Sequence, residues 1–287
     1  MKVRGLAIAL VLGLVVAACS NGGSTPSPSA PAEPSVAPQS AAASDPPSAE
    51  PAALTIFAAA SLKNVLAEAK TAYETANPGT DLTITTDSSA ALETQIEQGA
   101  PADVFLSADT TNPQKLVDGG FAGGDAKPFA GNKLTIIVPT DNPARIQSPA
   151  DLAKDGVRII AAGDEVPITK YASQVVEKLA AATQDPATFQ AAYAANVASK
   201  EDNVGQVVAK IALGEGDAGI VYVTDAVASD EVTPIEIPDA ANVPATYAGV
   251  VVGASEHQDA AAAFLDWLAS PDGQTVLSSF GFLPPPT

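Results

Sequence analysis

Leu54-Thr-Ile-Phe-Ala-Ala-Ala-Ser61, running on into Leu62-Lys-Asn-Val-Leu-Ala-Glu-Ala-Lys-Thr-Ala-Tyr-Glu74, changes its hydrophobic period halfway. Leu54 to Phe57 is a short apolar run of strand type. Ala58 to Ser61 turns. From Leu62 onward, Leu62, Val65, Leu66, Ala69 and Tyr73 fall on one stripe of an amphipathic helix. The same alternation continues downstream. Leu82 to Thr85 is a strand, and Asp87-Ser88-Ser89 opens a helix over Ala90 to Gln98 that Gly99 closes. Val104 to Leu106 is a strand, and Ala108 to Val117 a helix. A β-α-β-α-β-α order of this kind builds a parallel sheet with helices on both faces.

A second set follows. Strands are expected at Leu134–Val138, Arg158–Ala161 and Ala218–Tyr222, with helices starting near Thr169, Pro186 and Val204. Ala245–Val252 reads as a strand returning to the first set, with helices over Ala260–Ala269 and Pro271–Ser279. The expected fold is α/β with two lobes, residues 54–132 plus 246–287 and residues 133–245. Each lobe is a mostly parallel sheet flanked by helices. No internal repeat of fixed short period is visible.

Upstream of Leu54 the chain is of another kind. Lys2 and Arg4 precede an uncharged apolar run that ends Val16-Ala-Ala-Cys19, too short to span a bilayer and shaped like a signal peptide. Cys19 is the only cysteine, and it sits where a lipoprotein signal is cut; the segment resembles a bacterial lipobox. Residues 1–19 are therefore expected to be a signal, with Cys19 lipidated and the protein held on the outer face of a membrane. Residues 20–53, rich in Ser, Pro and Ala, cannot bury enough surface to fold and read as a tether. With Cys19 consumed, no disulfide is available. The remaining 234 residues are enough for a large core.

The formal net charge is −19, and loss of residues 1–19, with two cations and no acid, takes it to −21. Nucleic acid is excluded as a partner, because its recognition needs basic patches. An anionic ligand would find no long-range attraction here. It would have to be held locally, by N–H groups, hydroxyls and helix N-termini.

Two serines fit that need. Ser61 and Ser89 each follow a strand of the first set and stand at the start of a helix. One such serine reads first as an N-cap. Two of them, after neighbouring parallel strands, would aim two helix N-termini at one point at the carboxyl ends of the strands, where open α/β sheets bind ligands.

Thr55-Ile-Phe-Ala-Ala-Ala-Ser-Leu62, Ser88-Ser-Ala-Ala-Leu-Glu-Thr-Gln-Ile-Glu-Gln-Gly-Ala-Pro-Ala-Asp-Val-Phe-Leu-Ser-Ala-Asp109 and Gly219-Ile-Val-Tyr-Val-Thr-Asp-Ala-Val-Ala-Ser229 resemble the signatures of the periplasmic molybdate-binding proteins of ABC transporters. The likeness extends over roughly Leu54 to Leu283. It implies the two-lobed periplasmic-binding-protein fold of type II. It also implies a tetrahedral dianion, molybdate or tungstate, held by uncharged donors alone. Carried over residue by residue, these are the hydroxyls of Ser61, Ser89 and Tyr222 and the backbone N–H groups of Ile168 and Val204. Ile168 departs from the pattern: the family has a small residue and then glycine after the proline, where this chain has Ile168-Thr169. Tyr222 can also be read as a core tyrosine, and Val204 as an ordinary apolar residue at a helix start. The resemblance further implies an ABC permease as partner, a monomer, and no cofactor.

Rival functions have less behind them. A serine hydrolase using Ser61 or Ser89 lacks a Gly-x-Ser-x-Gly elbow and a Ser-x-x-Lys pair. The single histidine, His257, lies in a polar Glu-His-Gln turn. Metal catalysis lacks its His/Cys cluster. No enzyme is expected. Another oxyanion, such as sulfate, thiosulfate or phosphate, is the alternative within the binding class.

Overall fold

A computed structural model describes residues 52–286. The signal segment, Cys19 and all of the expected tether but Ala52 and Ala53 lie outside the described residues. Those two belong to the fold: Ala52 is buried, and Ala53 opens strand β1 (Ala53–Ala59). A single 3-10 turn, Ala60–Leu62, leads into α1 (Lys63–Ala76). Then come β2 (Asp81–Asp87), α2 (Ser89–Glu97), β3 (Val104–Ser107), α3 (Thr111–Asp118) and β4 (Lys127–Asn132). The apolar stripe foreseen for α1 is the buried one: Val65, Leu66, Ala69 and Tyr73 face the sheet, and Tyr73 meets Phe264 and Trp267 edge-on. Leu54, Ile56 and Ala58 of β1 are fully enclosed. Each large apolar side chain so buried stabilises the fold by roughly 1.5–3 kcal/mol.

The second half holds β5 (Leu134–Pro139), β6 (Ile159–Ala162), α4 (Pro167–Ala181), α5 (Pro186–Asn196), β7 (Val197–Glu201), α6 (Val204–Ala212), β8 (Gly219–Tyr222), α7 (Val223–Val227) and β9 (Val232–Glu236). The chain ends with β10 (Ala245–Val251), α8 (Gln258–Ala269) and α9 (Pro271–Ser279).

The first sheet has the order β2-β1-β3-β10-β4. Strand β1 runs parallel to β2 and β3, while β10 is antiparallel to both β3 and β4. In the other half β5 is antiparallel to β8 and β9, and β6 is parallel to β7. A parallel bridge between Ile159 and Ala218 joins the two pieces, giving the order β7-β6-β8-β5-β9. The two orders match position for position. In each, the one strand that opposes the rest, β10 or β5, is the strand arriving from the other half. Only Lys133 separates β4 from β5, and residues 237–244 lead from β9 to β10. The repeat is thus one of topology, on a scale at which no sequence period shows.

Strand β4 was not foreseen. Its sequence, Lys-Pro-Phe-Ala-Gly-Asn, carries Pro128 and Gly131, which weaken any strand signal. It is tolerated because β4 is an edge strand, where a missing N–H can face away from the ladder. The register of β10 slips opposite it, between Tyr247 and Ala248. Strand β7, also at an edge, and the short α7 were likewise not anticipated. On β10, a Cβ at Gly249 would lie 2.8 Å from side-chain carbons of Leu106 and Leu265 and 3.0 Å from the Phe105 carbonyl oxygen. Glycine there lets α8 lie close on the sheet. Among the described residues no helix is long and apolar enough to cross a membrane.

Candidate functional site

Ser61, Ser89, Ile168, Val204 and Tyr222 all line one narrow cleft, although the first and last stand 161 positions apart in the sequence. Its remaining walls are Ala59, Ala60, Ser88, Ala108, Val166, Pro167 and Asn203. No Asp, Glu, Lys, Arg or His is among them. Its solvent-accessible volume is about 10 Å³, far below the roughly 300–1,000 Å³ typical of sites for drug-sized organic ligands.

The fold aims backbone donors at this space. Ser61 lies in the 3-10 turn after β1, and Ser89 is the first residue of α2 after β2. Ile168 is in the first turn of α4, and Val204 begins α6. N–H groups in a helix's first turn have no partner inside the helix. Their partial positive charges, added to the helix dipoles, suit a negative ligand. Two of these starts belong to the first sheet and two to the second half.

Neither serine caps its helix, contrary to what position alone suggests. The starts of α1 and α2 have no side-chain cap hydrogen bond. Instead Ser61 Oγ lies 2.9 Å from the Tyr247 hydroxyl, and Ser89 Oγ accepts a hydrogen bond from the Ala108 N–H at 3.1 Å. Ala108 lies between β3 and α3, which starts three residues later than expected. Asp109 stops it, taking hydrogen bonds from the N–H and side-chain amide of Asn112.

Tyr222 closes the cleft at the end of β8. The residue is 1 % exposed, and its hydroxyl is the one buried side-chain polar atom among the described residues with no hydrogen-bond partner. Burial, reinforced by the nearby Tyr247, raises its pKa well above the usual value, so it stays a donor. Ile168 borders both this cleft and a neighbouring cavity between α4 and α5, so its bulk is shared between the two.

Two lining residues were not singled out from the sequence. Ser88 precedes α2 and gives its N–H to Asp87 Oδ1 at 2.8 Å. Asn203 caps α6 by accepting from the Gln206 N–H, and its amide donates to the same Asp87 oxygen at 3.0 Å. Asp87 therefore ties the two halves together at the edge of the cleft. The Asp202-Asn203 pair before an apolar helix was the signal that could have found Asn203.

Asp225 lies behind Tyr222 and accepts a hydrogen bond from its backbone N–H at 3.2 Å. Desolvation raises the Asp225 pKa from 3.8 to about 7, partly offset by that hydrogen bond. The residue keeps some exposed surface, which limits the energetic consequence. The folded protein holds a proton that the unfolded chain releases. The associated stability is complete below about pH 4 and is lost as pH rises through about 7. Asp225→Asn is thus expected to be more stable than the parent at pH 8, by on the order of 2 kcal/mol, and to match it near pH 4. Urea denaturation at the two pH values checks this; equal stability at pH 8 would refute it.

A neighbouring groove that shares Ser88 and Val166 with the cleft is acidic: Asp87, Glu93, Asp164, Glu165, Glu201 and Asp202 line it against Lys115 and Lys200. A dianion approaching past this groove on a chain of net charge −19 is repelled until it reaches the donors inside. Salt screens that repulsion. Its association rate in stopped flow should therefore rise with ionic strength, by roughly threefold or more between 10 and 200 mM salt. A falling rate would mean that some basic path guides the ligand in.

Donors converging on a small cleft between two α/β sheets, with no nucleophile–base pair in its walls, make a receptor for a small solute. The comparisons with known proteins agree. The family model for bacterial extracellular solute-binding proteins matches residues 54–283. The molybdate-binding protein ModA of Mycobacterium tuberculosis is 30% identical over 286 residues, covering 99% of this chain and 100% of that one. The periplasmic molybdate-binding protein of Azotobacter vinelandii superposes with a TM-score of 0.68 at 24% identity, covering 81% of this chain and 100% of that one. The sulfate-binding protein SubI of M. tuberculosis gives a TM-score of 0.73 at 21% identity, covering 81% and 86%. Likeness at these last two identities is a likeness of fold. The chain belongs to the bacterial extracellular solute-binding protein family, and its sequence is that of a ModA-like member.

Proposed function

We propose that this protein captures molybdate, or tungstate, outside the cytoplasm and delivers it to an ABC importer. The observation that carries the proposal is the unpartnered Tyr222 hydroxyl in a cleft without charged side chains. A buried hydroxyl left unpaired costs about 1–3 kcal/mol. An oxyanion with four acceptor oxygens and no proton satisfies it, along with the hydroxyls of Ser61 and Ser89 and the N–H groups of Ile168 and Val204. The likeness to ModA along the whole chain supports molybdate in particular.

In this reading residues 52–132 plus 245–287 form one lobe, beginning and resuming a residue or two earlier than expected because Ala53 opens β1 and Ala245 opens β10, and residues 134–236 form the other; the two are hinged at Lys133 and at 237–244 and close over the ligand. Cys19 carries the lipid, and residues 20–51 give reach to the permease. The protein works as a monomer and performs no chemistry on its ligand.

Sulfate is the second reading. It has the charge and shape of molybdate with shorter bonds, so only the size of the cleft separates them. A thermal-shift panel of molybdate, tungstate, sulfate, thiosulfate and phosphate tests both. A ligand at about 100 times its Kd adds about 2.7 kcal/mol, or about 5–10 °C for a domain of this size. Molybdate and tungstate should give that shift at micromolar concentrations and sulfate should not. A larger shift with sulfate would replace the first reading by the second.

A further inference from the structure

We propose that Tyr247 is a positioning residue that, by donating to Ser61, leaves the Ser61 hydrogen free for the ligand, so that the site favours giving hydrogen bonds over accepting them. The proposal rests on the reading of the cleft as an oxyanion site and narrows its ligand to fully deprotonated oxyanions.

Tyr247 is buried on β10 and does not line the cleft. Its hydroxyl stands between two groups. On one side is Asn132, at the end of β4. The Asn132 Oδ1 accepts from the Lys133 N–H at 2.9 Å, which turns its Nδ2 the other way. That nitrogen donates to Thr224 Oγ1 at 2.9 Å and, over a longer 3.4 Å, to the Tyr247 hydroxyl oxygen. On the other side is Ser61 Oγ, at 2.9 Å. With its oxygen taken by Asn132, Tyr247 has one place to send its proton, and that is Ser61. The chemistry favours the same direction, since a phenol is a better donor and a poorer acceptor than an aliphatic hydroxyl. Burial raises the Tyr247 pKa well above the usual value, so the proton is not lost. Ser61 Oγ then accepts from Tyr247 with one of its two lone pairs, and its own hydrogen is left free for the cleft.

Ser89 is polarised in the same sense by a simpler device. Its Oγ accepts from the Ala108 N–H, which has no other role to play. Both serines thus face the cleft as donors, beside the Tyr222 hydroxyl. A ligand that carries a proton, such as hydrogen phosphate, would find in Ser61 and Ser89 only oxygens that already accept one hydrogen bond each. A fully deprotonated oxyanion wastes nothing.

The test is a double-mutant cycle on the full-length protein, with molybdate affinity measured by calorimetry. Tyr247→Phe keeps the ring and removes the relay, so it should weaken molybdate about 5- to 10-fold. In a Ser61→Ala background the same change should cost less than about twofold, because the group it acts through is gone. A purely structural role for Tyr247 would give the same loss in both backgrounds, and that outcome overturns the proposal. Asn132→Ala gives a second route to the relay and should obey the same rule if Tyr247→Phe is poorly folded. Tyr247→Phe should also narrow the ratio of phosphate to molybdate dissociation constants. Absence of molybdate binding by the parent protein would sink the oxyanion reading itself, whereas binding with additive losses would sink only the relay.

Discussion

Tyr222→Phe is expected to move two quantities in opposite directions. Without ligand, the unfolding midpoint should rise by about 2–4 °C, because the substitution removes a buried hydroxyl that has no partner and leaves the ring packing against Tyr171 and Tyr247 intact. With molybdate, affinity should fall by about 10- to 100-fold, the usual worth of a hydrogen bond to a charged group at roughly 1.5–3 kcal/mol. Differential scanning fluorimetry and calorimetry on the same preparation read both. A core tyrosine with no ligand role predicts a rise in stability and an unchanged affinity. A hydroxyl bonded within the protein predicts a loss of stability. Only a donor reserved for a ligand predicts gain and loss together. The desolvation of the Tyr222 hydroxyl, uncompensated within the protein, is what makes the two signs differ.

The fold was legible where local pattern and tertiary structure agree. The stripe Val65, Leu66, Ala69, Tyr73 buries itself as its spacing demands, and the apolar residues of β1 sit on an interior strand of a sheet. Gly99, with φ +87°, ends α2 as a glycine should. What was hidden is what depends on distant partners. Strand β4 survives its proline and glycine only because it lies at an edge, and edge position is not written in Lys127–Asn132. The reversed direction of β10 and β5 follows from the chain's passing twice between the halves, a property of the whole path. The cleft shows the same division. Ser61 and Ser89 could be picked out by their strand–serine–helix setting, and Tyr222 by resemblance. Their proximity to one another is a fact of the sheets. Reading them as caps failed because each hydroxyl is claimed by a group far along the chain: Ser61 by Tyr247, 186 residues away, and Ser89 by Ala108. A cap is a local bargain, and a local window cannot see the competing partner. Asn203 was missed for a related reason, since a helix-capping side chain announces the helix but not what its start faces.

Val204→Pro should separate the backbone donor from everything else at its position. The side chain of Val204 has no chemistry to offer an anion, so only its N–H makes it a candidate, and no ordinary substitution removes that group. Proline does. At the first position of a helix proline is well tolerated, because the N–H it lacks has no partner within the helix and its φ already suits the turn. The preceding residue must be extended, and Asn203 is, at φ −154° and ψ 167°. Asn203 also keeps its own cap to the Gln206 N–H. Stability should therefore fall only by about 1 kcal/mol, from the altered contacts of a side chain that is 3 % exposed. Molybdate affinity should fall by about 10- to 100-fold, as for any lost hydrogen bond to a charged group. Val204→Ala is the control, since it trims the same packing and keeps the N–H, and it should bind within about threefold of the parent. If the two variants bind alike, the start of α6 contributes no hydrogen bond, and the anion must be held from the first sheet, Tyr222 and α4 alone. Loss confined to the proline variant would instead show that an acidic protein holds its anion with the main chain. That matters for transport, because neutral donors fixed by helix starts attract the ligand only at contact range and set no long-range barrier to its release.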